Sequence, residues 1–574
     1  MALLRATGVN RSASKQLTLM TIAAVAITAL GLASGPANAT EPQSTAVTTE
    51  SGAVQGVRLS GNISAFRGIP YAAPPIGMLR WKPPSPPTHW EGVRQAAQFG
   101  AACLQLQGRL DNIYADDPFG MSEDCLYLNV WKPDTAKRAP VMVWIHGGAF
   151  SGGNSGAGIY EGAELARHGV IVVSMNYRLG ILGFLAHPEL SQESAQHVSG
   201  NYGLLDQVAA LRWVKANVAA FGGDPANVTI FGESAGATSV MDLLVSPPAR
   251  GLFSKAIIES GYMVSNAELR TSRYGLPSAE DVGVAVAKAL GATTIKDLRN
   301  RDGGELVQAS AKTGFVPLPT VDGCFLPHQL VDAFDQGEQA HVPILVGSNA
   351  GETRSLRTLL PPVPASATEY EGKVRAIFGD LSDDFLKHYP SSNLEESVLE
   401  ATRDGLYSWT AQRLALKQAA VGQASYVYLF AHTYPSEVPL RVEAFHASEL
   451  PFVFGHIGPG SHLPPNWPKP PNTPEEQALS DAIMNYWTSF ARTGKPTSAG
   501  APAWKTFADD ESYMEFGDKP QALAHPLPGV YALTEELVSR RRTAGNQYWF
   551  TNFGLASPPV PGDHPGRRLA NPPR

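Results

Sequence analysis

Gly232-Glu233-Ser234-Ala235-Gly236 fits G-x-S-x-G, a spacing that can present a serine hydroxyl as a nucleophile on a tight turn. The chain has 55 glycines, and chance alone supplies the pentapeptide about 0.4 times, so the pattern by itself is weak. Context strengthens it. The apolar run Val228–Phe231 comes directly before, and the helix-compatible stretch Ala237–Val245 follows. Such a nucleophile needs a strand, a sharp turn and a helix in that order. The turn strains the backbone and leaves no room for flanking side chains. An ordinary glycine-rich turn is the competing reading.

A serine hydroxyl attacks poorly unless a base removes its proton. The chain order expected with this turn is serine, then acid, then histidine. Glu352 follows the apolar run Pro343–Val346 and the loop Gly347–Gly351, which is where the acid belongs. Among 14 histidines, His446 lies on a later loop beyond the run Tyr426–Phe430. On spacing alone, His432 and His456 remain its rivals. His146-Gly147-Gly148-Ala149 follows the run Val141–Ile145, and its small residues let backbone N–H groups approach a substrate carbonyl. Losing one such donor to a developing oxyanion typically costs about 3–4 kcal/mol. A merely flexible loop from Gly147 to Gly158 is the alternative. No G-x-x-x-x-G-K-[ST] and no G-x-G-x-x-G opening a helix is present, which argues against nucleotide binding.

The elements that must position these groups alternate. Val170–Met175, Ala256–Ile258 and the runs already named read as strands buried on both faces of a largely parallel sheet. Leu204–Phe221 reads as a helix ended by Gly222-Gly223. The fold class expected is therefore α/β, a central mostly parallel sheet flanked by helices. Stretches 262–342 and 353–445 break the alternation and are expected as helical insertions over the sheet's carboxyl edge, where open α/β sheets bind ligands. Residues 40–555 are expected to form one catalytic domain, preceded by a signal at 1–39. A Pro-rich tail, 556–574, is expected to be disordered.

The formal net charge of −7 gives no basic surface for nucleic acid. At the N-terminus, Arg5, Arg11 and Lys15 precede the apolar run Leu17–Ala33 and then Ala37-Asn38-Ala39, an A-x-A site. The run is at the short limit for a membrane span, so it reads as a cleaved export signal with cleavage near Ala39. Export brings an oxidising compartment, in which Cys103 and Cys125 can pair, though sequence alone does not establish the bond. Cys324 is expected as a buried free thiol.

Further segments complete a resemblance. They are Phe66-Arg67-Gly68-Ile69-Pro70-Tyr71-Ala72, Leu79-Arg80-Trp81, Ser122-Glu123-Asp124-Cys125-Leu126-Tyr127-Leu128-Asn129-Val130 and Asn201-Tyr202-Gly203-Leu204-Leu205-Asp206-Gln207. With Phe221-Gly222-Gly223-Asp224-Pro225, these and the Ser234 pentapeptide make the chain resemble the type-B carboxylesterase family, which includes the cholinesterases, over nearly its whole length after the signal. The resemblance implies the α/β-hydrolase fold and a triad of Ser234, Glu352 and His446. His446 is now singled out by the segment His446-Ala447-Ser448-Glu449-Leu450-Pro451-Phe452-Val453-Phe454-Gly455. Oxyanion donors at the N–H groups of Gly148, Ala149 and Ala235 are implied, as are support of the acid by Ser260 and the disulfide Cys103–Cys125. No metal and no cofactor is implied.

Departures from the family narrow the expectation. Ala149 stands where many members have a third glycine, so a methyl group faces the oxyanion site. Cholinesterases carry a choline-binding tryptophan in the first disulfide loop; here the loop has Tyr114 and no Trp, which argues against a choline-ester specialist. Arg354 and Arg357 stand where the family usually has acidic or small residues and are candidates for binding a carboxylate on the substrate, such as a tricarboxylate ester of a natural toxin; a solvated basic turn is the competing reading. The expectation is a serine carboxylesterase acting through an acyl-enzyme on a small-molecule ester, with no nucleic acid and no stable membrane association once the signal is removed. A lipase or amidase of the same fold is the alternative. So is a non-catalytic adhesion-type member, although those lose the triad and all three residues are present here.

Overall fold

A computed structural model of the chain describes residues 45–106, 112–115, 120–458, 460–546 and 554–562. The expected export signal lies outside the described residues. Residues from Thr45 onward cluster as a single unit. Among the described residues, eleven strands form one sheet. Its parallel body runs, in spatial order, Ser512–Phe516, Ser425–Phe430, Ile344–Asn349, Lys255–Glu259, Gly223–Glu233, Ala139–Ile145 and Ile171–Met175. Antiparallel strands close it at both sides.

The continuous apolar runs have a physical cause. Successive strand side chains point to opposite faces, and both faces here are covered. Val141, Val143 and Ile145 enter one core, while Met142 and Trp144 enter the other. Tyr202–Asn217 is helical, continues as a tight turn over Val218–Phe221, and stops at Gly222 with φ 87°. That left-handed stop suits glycine. The insertions are helical as expected: Ala279–Ala289 and Gly303–Ala311 in the first, Ala367–Phe378, Leu394–Arg403 and Trp409–Ala420 in the second. Among the described residues, no helix is long and apolar enough to cross a membrane.

Three expectations concern the periphery. Cys103 and Cys125 are bonded. The 22-residue separation of the pair makes the bond worth about 3 kcal/mol in the loop-entropy view. Replacing both cysteines by alanine is expected to lower the unfolding free energy by about that much, read from urea unfolding of the oxidised protein against the variant. Cys324, by contrast, is exposed, not buried. The Asp322 carboxylate accepts the N–H groups of Cys324, Phe325 and Leu326, and in this turn Phe325 and Leu326 take the buried places. Of the expected tail, residues 563–574 lie outside the described residues, and its start makes contacts. Val560 N–H donates to Ile377 O at 2.7 Å, Arg541 donates to Pro558 O, and Ser557 is buried.

Candidate active site

The carboxyl ends of adjacent strands bring the candidate residues together. Glu233 lies beside Glu259, and Glu259 beside Gly347, in register across three strands. Ser234 follows with φ 57° and ψ −122°, a strained conformation for a non-glycine residue, and its N–H donates to Glu259 O at 2.9 Å. The helix Ala235–Val245 starts directly after it. The flanking glycines are sterically required. A Cβ on Gly236 would lie 2.0 Å from Ile145 O, and one on Gly232 2.7 Å from the same oxygen.

The glycine loop packs against this turn. A Cβ on Gly147 would fall 2.8 Å from Glu233 O and 3.1 Å from Ser234 Cβ. His146 sits beneath the loop, stacked on Tyr177 with its Nδ1 2.8 Å from Gly147 O, and burial depresses its pKa to about 4. It is a neutral structural histidine. Gly148 and Ala149 are exposed, at φ 108° and 54°. Among the described residues neither N–H has an acceptor. Ala235, as the first residue of its helix, has an N–H with no intrahelical partner. All three donors are therefore available to an anion.

His446 is buried between two carboxylates. Its Nδ1 bonds Glu352, and its Nε2 lies 3.0 Å from Glu233 Oε1. Among the described residues Ser234 Oγ has no hydrogen-bond partner, and Glu233 lies at the ring nitrogen that a serine would use. Burial, the largest single influence on the ring, disfavours the imidazolium. The Glu233 and Glu352 carboxylates outweigh it together and hold the pKa well above the usual imidazole value. The rival histidines are committed elsewhere: His432 to Glu476 and Asp518, and His456 to Glu161 O, with burial lowering the His456 pKa to about 4.

Ser260 makes no direct hydrogen bond to the acid among the described residues. Its hydroxyl is buried with no hydrogen-bond partner among the described residues, and Glu352 Oε1 instead accepts the Asn349 N–H at 2.8 Å. Arg354 and Arg357 are both paired within the chain. Arg354 meets Glu396 and lies 3.9 Å from Glu443, and Arg357 meets Glu395, which also takes Arg441. Tyr114 stands at the site: its hydroxyl donates to His446 O at 2.8 Å and meets Ser355 Oγ at 2.7 Å. The ring packs edge-on against His446 and Trp467.

The motif reading missed the other acids. Glu233 counted only as the variable position of the pentapeptide, and Glu449 only as part of the His446 segment. Both belong to a buried group with Glu259. Burial first, then the charges of Glu233, Glu259 and Glu352, push Glu449 well above the usual carboxylate range. Burial pushes Glu259 up to about 8, with the Trp487 indole bond opposing and Glu233 adding. Tyr407 was missed as well. It comes from a π-helical turn, Asp404–Ser408, and its ring centre lies 5.4 Å from that of His446. Such turns break helical periodicity and recur at functional sites.

The arrangement offers a strained serine, a histidine held by an acid and three free N–H donors, a set suited to acyl transfer. Comparison with known proteins agrees. The Carboxylesterase family model matches residues 43–529. A fumonisin B1 esterase from Sphingopyxis macrogoltabida is 37% identical over 489 residues, covering 82% of this chain and 86% of that protein. A para-nitrobenzyl esterase from Bacillus subtilis (strain 168) is 37% identical over 470 residues, covering 81% and 93%. A solved thermophilic PNB esterase superposes with a TM-score of 0.74 at 34% identity, covering 85% of this chain and 99% of its own. The chain belongs to the carboxylesterase family and is a carboxylic ester hydrolase of the α/β-hydrolase fold.

Proposed function

We propose that the protein hydrolyses small-molecule carboxylic esters with Ser234 as nucleophile, His446 as general base and Glu352 as the acid that orients the ring. The observation that carries this is His446 bonded to Glu352 and lying 3.0 Å from Glu233, the residue that directly precedes the serine of the strained turn. His446 takes the Ser234 proton as Oγ attacks the ester carbonyl. The N–H groups of Gly148, Ala149 and Ala235 receive the oxyanion, and the imidazolium then protonates the departing alcohol. Water repeats the sequence on the acyl-enzyme, releasing the acid and restoring Ser234. A panel of p-nitrophenyl esters, with and without a serine-reactive organophosphate, tests the reading. Turnover abolished by stoichiometric modification of Ser234 supports it, and turnover that survives full modification overturns it.

Before attack Ser234 must replace Glu233 at His446 Nε2. General-base action needs the neutral ring, and a raised pKa populates that form only toward alkaline pH, so kcat/KM rises with pH through the His446 pKa. Glu233→Gln removes one of the two charges that raise it. The acidic limb of the kcat/KM profile is expected to move to lower pH, and a limb that stays in place would show that Glu233 does not hold the ring's proton.

The relative named fumonisin B1 esterase favours a second reading, an ester that carries free carboxylates such as a toxin tricarboxylate ester. The ion pairs of Arg354 and Arg357 argue that these two residues are not its receptor. Arg354→Ala and Arg357→Ala are expected to leave KM for an anionic ester within about twofold of the parent, whereas a rise of about tenfold or more would assign them to binding. The N-terminal charge and apolar pattern, together with the Cys103–Cys125 bond, support export.

A further inference from the structure

We propose that Asn349 is a positioning residue that holds the Glu352 loop and the His446 segment in register for proton transfer. The proposal rests on the reading of Glu352 and His446 as acid and base. Asn349 ends the strand Ile344–Asn349 and is fully buried. Its backbone N–H donates to Glu352 Oε1, the oxygen that His446 does not use. Its side-chain amide donates to Phe445 O at 2.7 Å and to Glu449. One residue thus touches the acid and both flanks of the base, since Phe445 precedes His446 and Glu449 follows it by three positions.

The segment being held needs a restraint. Ala444 and Ala447, on either side of His446, have φ of 47° and 70°, conformations that L residues keep only when their surroundings impose them. Phe445 O also accepts the Ser448 N–H, closing the turn that carries the ring. A parallel contact runs alongside: Gly351 N–H donates to Ala444 O at 2.9 Å, so close that a Cβ on Gly351 would lie 1.9 Å from Glu443 O. Gly351 fixes the approach of the two backbones. Asn349 is the side chain that crosses between them, and it reaches the far side of His446. An amide suits the position because Phe445 O and the Glu449 carboxyl both need donors, and a side chain of equal size without an NH₂ group offers none.

The test is Asn349→Ala, which keeps the N–H to Glu352 and deletes the two side-chain donations. Two readouts are taken on the folded protein. One is kcat and KM per active site, counted by an organophosphate titrant. The other is the far-downfield proton resonance of the His446–Glu352 hydrogen bond, which does not depend on turnover. The expected result is kcat lowered roughly 100-fold with KM within about twofold, the scale of a misplaced catalytic group, and a displaced or broadened resonance. If only thermal stability falls, with kcat within about threefold of the parent and the resonance unmoved, Asn349 is structural and the proposal is overturned. Should the alanine variant fail to fold, Asn349→Val, which fills more of the space and offers no side-chain donor, is read in the same two ways. Retained activity in Ser234→Ala would remove the underlying reading. Retained activity in the Asn349 variants alone removes only this proposal.

Discussion

Ser234→Ala is expected to fold as the parent does and to lose kcat by roughly 10⁵–10⁶-fold, with residual turnover owed to the oxyanion donors and to binding. The fold is expected to survive for a structural reason. The strained φ of 57° is set by the strand–helix turn, and alanine retains the backbone N–H bond to Glu259 O. Among the described residues Ser234 Oγ has no partner, so its removal leaves no buried group unsatisfied. The variant keeps His446 between Glu233 and Glu352, and its circular dichroism and unfolding midpoint should match the parent's. Retention of more than about a tenth of parental kcat would overturn Ser234 as nucleophile.

Gly236→Ala is expected to cost about 3 kcal/mol of stability or more, and most of the activity with it. The three atoms nearest the new methyl are all main chain: Ile145 O at 2.0 Å, Ile145 C at 2.9 Å and His146 O at 2.9 Å. No side-chain rotation relieves that. The helix Ala235–Val245 must move off the strand Ala139–Ile145, which carries the Gly148 and Ala149 donors away from Ser234. Gly372 is the control, because nothing lies within 4 Å of its would-be Cβ and it sits inside the helix Ala367–Phe378. Gly372→Ala should be neutral or stabilising by up to about 1 kcal/mol. Urea unfolding of both variants decides the matter, and equal midpoints would show that the Gly236 contact is not rigid.

The two variants mark how much was legible without coordinates. Gly232, Ser234 and Gly236 were readable because their constraint is local: strand, turn and helix succeed one another within a few residues, and sterics at a tight turn admit few side chains. Glu352 was readable for the same reason, as the end of an apolar run. On spacing His446 was the candidate with His432 and His456 as rivals, and only the resemblance of its segment to a known family separated them. Arg354 and Arg357 showed their charge but not their partners. Glu395 and Glu396 lie on a helix that the pattern placed only broadly. Cys324 was misplaced because burial of a cysteine follows from its neighbours, and its neighbours Phe325 and Leu326 took the interior.

By itself the sequence determined the α/β alternation, the strand–turn–helix around Ser234 and the glycine loop, since each rests on residue type and short-range periodicity, whereas His446 as the proposed base rests on the resemblance of its segment. The tertiary structure alone decided which groups face one another over long separations. It placed Glu233 3.0 Å from His446 Nε2, gathered Glu259 and Glu449 into the same buried group, and left Ser260 without a direct hydrogen bond to the acid among the described residues. It also gave Asn349 the bonds to Glu352, Phe445 and Glu449. The physical reason is that a carboxylate's pKa, and the donor that meets it, depend on burial and on neighbours 94 or 100 residues away in the chain. No local pattern carries that information.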